Sequence, residues 1–306
     1  MDDTPKSSGD LRKGFLYALS GSTLISVYFI TGKYCLMGFN PETFCLVWIS
    51  VTAFYAFLLV VVRGRVRELR APRKARLSLL GVGVSTGVGL VLLYSGLKRI
   101  DPTFTAFIAR SHPVMVILLG VIFLKERLRA VELLPLVLML AGGVIGVWGR
   151  PRDVNVGVAL ASLGYVAFAF HRLFVKTASV HVRAEITVFY RAALAWVLIV
   201  VWTVATGRAD FNVPGKYWLV AFVGALISPV LGNLLSFHAY RYYNLSQSAL
   251  VLMIQPLLVL PIAYVFLGML PSRQGLLGGL LILVGAFAVV WIHFSTSRKP
   301  VDLEGP

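Results

Sequence analysis

Arg110, Ser111 and His112 stand directly before Pro113, and eleven apolar residues follow, Val114 to Leu124. Charge and a missing backbone donor are both costly inside an apolar helix, so this cluster marks a functional position. A guanidinium held there engages a carboxylate or phosphate through two parallel hydrogen bonds. Arg191 lies at comparable depth in a second apolar run; its alternative is to snorkel to the nearer surface. Lys33 is close enough to the end of its own run that snorkelling is the preferred reading. No Asp or Glu lies deep in any run to oppose them, because Glu42, Glu126 and Glu185 all fall at run ends. The interior field is therefore positive, which suits an anionic or zwitterionic ligand and excludes a carboxylate-based cation site.

Other polar groups join this set. Gln255 precedes Pro256 as His112 precedes Pro113, and Asn233 lies in a neighbouring run. Tyr28, Tyr94, Tyr165 and Tyr190 offer apolar walls with a polar tip, with packing as the alternative. Together, Arg110, His112, Gln255, Asn233, Arg191 and these four tyrosines form the candidate binding set. The glycine stretches GVGVSTGVG (81–89) and GGVIG (142–146) neither follow a strand nor open a soluble helix, so they read as close-packing faces rather than phosphate loops. No nucleophile converges with a base, and no His-x-x-x-His or paired carboxylate lies within a run, so neither enzyme chemistry, a resident metal nor a cofactor is expected. Cys35 and Cys45 are read as free, packed thiols, a disulfide being the alternative.

The elements that must position these groups follow from composition. The chain of 306 residues is 58% hydrophobic and 14% charged, with a mean hydropathy of +0.82, which excludes an ordinary soluble domain. A bilayer core needs roughly 20 apolar residues per helix. Ten such segments occur, near 14–36, 41–62, 77–97, 103–123, 133–148, 156–175, 186–205, 217–240, 245–267 and 275–294. The first is too long for a cleaved signal and lacks an Ala-x-Ala site, so it reads as a retained span. The net charge is +16. Lys33, Arg110 and Arg191 lie within spans, and the other basic residues, with Arg172 near the end of its span counted in the loop that follows, divide nineteen to seven between the two ends. The positive-inside rule then puts both termini in the cytoplasm. The richest loop, RGRVRELRAPRKAR (63–76), is expected against anionic headgroups rather than nucleic acid.

A shift of 143 residues, without a gap, superimposes the two halves of the chain. Gly81 meets Gly224, Gly89 meets Gly232, Glu42 meets Glu185, Pro113 meets Pro256, Gly142 meets Gly285 and Trp148 meets Trp291. Between 101–148 and 244–291, twelve of 48 positions are identical, where so apolar a composition gives about a tenth by chance. Each copy holds five spans, an odd number, so the second must enter the membrane from the opposite face. The expected architecture is an all-α integral membrane protein of ten transmembrane helices in two inverted five-helix repeats, an arrangement used by secondary transporters. The organisation is a cytoplasmic tail (1–13), a first repeat (14–150), a second repeat (151–294) and a cytoplasmic tail (295–306). Pro113 and Pro256 are the shift-related prolines within spans and the candidate hinges.

LKRIDPTFTAFIARSHPVMVILLGVIFLKERL followed by LAGGVIGVWG resembles the close of an EamA-type repeat of the drug/metabolite transporter superfamily. YRYYNLSQSALVLMIQPLLVLPIAYVFLG with LILVGAFAVVW resembles its second copy. The resemblance covers roughly 14–294. It implies a carrier of small metabolites or amino acids in the cell's inner membrane, often an exporter, working by alternating access. The expected partners are a small-molecule substrate, the lipid bilayer and a proton or other coupling ion, with the protein a monomer or homodimer and no nucleic acid bound. The alternative is a flippase for a lipid-linked or phosphate-bearing precursor. Met269 stands where the counterpart of Glu126 belongs, so no symmetric role is carried over for that glutamate.

Overall fold

A computed structural model describes residues 8–111, 130–179, 181–232, 234–235 and 254–296. Ten α-helices occur among them: α1 Ser8–Gly38, α2 Pro41–Val62, α3 Arg73–Leu97, α4 Pro102–Ala109, α5 Ala130–Val147, α6 Arg152–Ser179, α7 Ala184–Thr206, α8 Gly215–Leu226, α9 Gln255–Leu267 and α10 Arg273–Thr296. Five stretches, Pro41–Val62, Arg73–Leu97, Arg152–Val175, Ala184–Thr206 and Gly215–Gly232, are each long and apolar enough to cross a bilayer. Large apolar side chains such as Phe54, Leu77, Leu134, Val265 and Phe266 face outward. That is the surface a hydrocarbon solvent requires.

Helix limits follow local chemistry. Asn40 caps α2, its Oδ1 accepting from Thr43 N at 2.8 Å, and Asp101 caps α4 by accepting from Phe104 N at 2.7 Å; Pro41 and Pro102 follow in the first turns. α7 and α9 close on Gly207 and Gly268 in the left-handed region, where a side chain is strained. α8 passes at Ile227 into a π-helical turn, Ile227–Gly232, around Pro229, which has no amide proton for the regular ladder.

The halves meet as the sequence repeat demands. A side chain at Gly81 would strike Phe174, and one at Gly224 would meet Thr31; a side chain at Gly89 would strike Phe168, and one at Gly232 would meet Ile25. Each second contact is the first one moved by 143 residues. Gly142 lies against Gly278 and Ile282, while Gly285 lies against Pro135 and Met139. Along this contact α10 numbering falls as α5 numbering rises, so these equivalent helices are antiparallel. α2 and α7 repeat the relation: Arg63 reaches Glu185, Ser50 meets Trp196, and Thr43 meets Asp210. A two-fold axis that turns a helix onto an antiparallel equivalent lies across the bundle, so the repeats are inverted.

The ion pairs at the two ends of the α2–α7 contact obey the same symmetry. Glu185, buried, holds Arg63 at 3.2 Å and Arg65 at 3.1 Å, one on each carboxylate oxygen. Its counterpart Glu42 faces Arg208, the counterpart of Arg65, at 3.8 Å.

At the end opposite the arginine-rich loop, two lysines exchange caps. Lys33 Nζ donates to the carbonyls of Leu97, Lys98 and Ile100 at 2.8, 3.0 and 2.7 Å, while Lys98 Nζ donates to those of Leu36 and Phe39. Each ammonium thus satisfies the carbonyls left open where the other's helix ends. Lys33 does not snorkel to solvent; the nearby helix end offers better acceptors. Burial pushes the Asp101 carboxyl above its ordinary range, against the Phe104 amide and the Lys33 charge that favour the carboxylate. Lys33→Met, keeping the aliphatic stem, is expected to cost about 2 kcal/mol of stability through the orphaned carbonyls. A thermal-denaturation midpoint equal to that of the parent would refute the cap.

Cys35 and Cys45 are buried and unbonded. α5 packs on α10 through facing glycines, as the small-residue face at 142–146 leads one to expect.

Candidate functional site

α4 is short, and Arg110 is its C-terminal cap, with its amide bonded to Phe107 O at 2.9 Å. Eight residues from Pro102 place it about 12 Å below the end of the bundle. Pro256 sits in the first turn of α9, where the missing donor is not needed. Pro113 and His112 lie outside the described residues, as does Asn233.

Arg110 is 9% exposed and Gln255 1%. Arg110 Nη2 donates to Gln255 Oε1 at 2.6 Å, and Gln255 Nε2 donates to Ser22 O at 3.3 Å. The two donations fix the glutamine amide and join α4, α9 and α1 at one point. Ser26 Oγ also donates to Ser22 O, at 2.9 Å. This contact of Arg110 is to a neutral amide.

A second group lies on α3, α6, α7 and α1. Arg191 sits on the inward stripe of α7 with the buried residues Val188, Ala192 and Ala195, and is itself half-buried. It makes no hydrogen bond or ion pair among the described residues, and Tyr28, Tyr94 and His171 lie within its electrostatic reach. The Tyr28 and Tyr94 rings are 5.3 Å apart, in an aromatic cluster with Phe44 and Trp48. Tyr165 lies between the groups, close enough to interact with both Arg110 and Tyr28. The hydroxyl of Tyr165 and the Ser22 Oγ are buried with no hydrogen-bond partner among the described residues, and the Tyr94 hydroxyl lies beside that of Tyr28. Such groups carry the full desolvation penalty until water or a ligand meets them.

The structure therefore brings Arg110 and Gln255 together and gathers Arg191, Tyr28 and Tyr94 nearby, with Tyr165 between. Tyr190 sits apart, its hydroxyl donating to Leu69 O at the arginine-rich end. His171 and Ser22 were not singled out from the sequence. Thr86 Oγ1 donates to Val82 O at 2.7 Å, so at 3.1 Å it accepts from His171 Nδ1, leaving Nε2 as the ring's second polar atom. A histidine inside the apolar run AFAFHRLF was the available signal.

An interior lined by two guanidiniums, a glutamine and tyrosine hydroxyls, with no carboxylate among the described residues away from the span ends, can bind an anion. Residues 12–148 and 155–291 each match the EamA-like transporter family. The protein belongs to that family: it is a membrane transporter built of two repeats. It is 22% identical over 284 residues to an uncharacterized transporter of Synechocystis sp., covering 87% of this chain and 81% of that one. It is also 22% identical over 255 residues to the uncharacterized transporter YxxF of Bacillus subtilis, covering 80% of each. A protein of known crystal structure shares the fold, with a TM-score of 0.61 and 19% identity over 96% of this chain and 100% of that one.

Proposed function

We propose that the protein is a secondary-active carrier moving a small anionic or zwitterionic metabolite, such as an amino acid, out of the cell across the inner membrane by alternating access. The observation that carries this reading is Arg191, a guanidinium facing the bundle interior with no partner among the described residues. A lone cation there is costly unless a ligand compensates it. Arg110, held by Gln255, supplies the second charge, and Tyr28, Tyr94 and Tyr165 supply aromatic walls with polar tips. His112 and Asn233 belong to the same proposed set by their sequence positions. Pro113 and Pro256, related by the 143-residue shift, are the proposed hinges of the two repeats. Both termini are cytoplasmic in this reading, with the arginine-rich loop on the same side.

The flippase reading needs a lateral groove that brings lipid phosphate to a cation. The groove of about 410 Å³ between α2, α7 and α8 is lined by apolar and aromatic residues and Ser50, with no charged side chain.

Two measurements test the proposal together. Reporter fusions are expected to place both termini in the cytoplasm; an external C-terminus would sink the orientation. Metabolites retained by cells with and without the protein identify the cargo, and Arg110→Gln is then expected to depress its transport in proteoliposomes far more than it lowers folded yield. Equal loss of yield and transport would make Arg110 a packing residue, and a strictly cationic cargo would overturn the substrate class.

A further inference from the structure

A second basic site lies away from the interior. At the arginine-rich end, a cavity of about 400 Å³ opens between the turn after α2 and the start of α7, lined by Glu68, Arg70, Pro72, His181, Val182, Arg183 and Ile186. Arg70 and Arg183 bring two guanidiniums to its walls and His181 an imidazole, while Pro72, Val182 and Ile186 give it an apolar side. The acidic residue there is weakly engaged: Glu68 Oε2 is 3.6 Å from Arg183 Nε, with side chains 42% and 63% exposed. Such exposed pairs contribute little. The stronger carboxylate of this region, Glu185, is turned away and saturated by Arg63 and Arg65.

The internal repeat supplies a control within the same molecule. The positions equivalent to Arg70, His181 and Arg183 at the other end of the bundle are Val213, Gly38 and Asn40. Those three positions are therefore basic at one end of the bundle only, the end that also carries the arginine-rich loop. The cavity also lies where α2 and α7 leave the apolar layer, at headgroup depth, and basic pockets between helices at that depth suit phospholipid headgroups.

We infer that this cavity binds the phosphate of an anionic phospholipid, held between Arg70 of the first repeat and His181 and Arg183 of the second. The phosphodiester meets the guanidiniums, and the glycerol carbons lie on Pro72, Val182 and Ile186. The ligand would bridge the two repeats beside the Glu185 ion pairs and the Tyr190–Leu69 hydrogen bond.

The test is native mass spectrometry of the full-length purified protein titrated with phosphatidylglycerol or phosphatidylcholine, which requires no knowledge of the transported cargo. The parent is expected to retain phosphatidylglycerol preferentially. Arg70→Gln/Arg183→Gln is expected to weaken that binding about thirtyfold, at one surface cation's contribution per arginine. Glu68→Gln, which removes the competing carboxylate, is expected to strengthen it, a gain that a misfolded variant would not produce. Arg67→Gln/Arg73→Gln alters the same loop outside the cavity and is expected to change little. Equal weakening in both double variants, or no gain from Glu68→Gln, would overturn the site in favour of diffuse surface charge. Displacement of the lipid by low-millimolar inorganic phosphate would overturn the lipid as occupant.

Discussion

Arg191→Gln is expected to reduce transport of the proposed anionic cargo by about 30- to 5000-fold while leaving the folded protein at least as heat-stable as the parent. The transport loss follows from removing a charge-assisted contact in a poorly solvated interior, about 2 to 5 kcal/mol for a buried charge pair that loses one member. The stability sign runs the other way from most buried substitutions. Arg191 has no hydrogen-bond or ion-pair partner among the described residues, so a shorter neutral amide relieves an uncompensated charge. Arg191→Lys keeps the charge but not the two-pronged geometry, and an intermediate rate is expected. Proteoliposome uptake and a thermal-denaturation curve on the same preparations check both signs. Unimpaired uptake in Arg191→Gln would remove this residue from the binding set, and a large drop in melting temperature would show that it holds the bundle together.

Gly142→Leu is expected to give the largest loss of folded protein. A Cβ at Gly142 would lie 2.5 Å from Gly278 O, 2.9 Å from Leu281 Cβ and 3.0 Å from Ile282 N. The first and last are backbone atoms of α10, so no rotamer change relieves the clash and the helices must separate. Overpacking of this kind costs about 3 kcal/mol or more. In a membrane, where apolar burial does not drive helices together, close backbone approach is the main source of attraction and its loss is not recovered elsewhere. The neighbouring Gly143 is the internal control, since a Cβ there meets nothing within 4 Å. Gly143→Ala is expected to be neutral or to stabilise by up to about 1 kcal/mol through helix propensity. Size-exclusion recovery and melting temperature separate the two, and similar behaviour of Gly142→Leu and Gly143→Ala would refute the α5–α10 contact.

Much of this architecture was legible in the chain because it rests on periodic or counted quantities. Span number follows from the length of apolar runs, since a bilayer imposes a nearly fixed thickness. The gapless 143-residue shift over an odd number of spans implied inversion, and the antiparallel α5–α10 and α2–α7 contacts agree with it. The spacing also singled out Arg110 and Gln255 as polar groups at depth, because depth is simply residue count times helix rise.

What only the tertiary structure decided is which groups face one another. The sequence ranks Arg110, Arg191 and Lys33 by depth alone, yet their fates differ according to their neighbours: Arg110 meets Gln255, Arg191 has no hydrogen-bond or ion-pair partner among the described residues, and Lys33 caps the end of α3. Tyr190 and Tyr94 look alike as tyrosines in apolar runs, but one reaches Leu69 O at the arginine-rich end and the other is buried against Tyr28 inside the bundle. The symmetry of the Glu42–Arg208 and Glu185–Arg65 pairs was likewise present in the numbering, but it gained meaning only once α2 was seen to lie against α7. The physical reason is that depth and amphipathic pattern are properties of single helices, read along one chain. Hydrogen bonds and ion pairs depend on the azimuth of each helix and on its neighbour, and these are set by how all the small-residue faces pack at once.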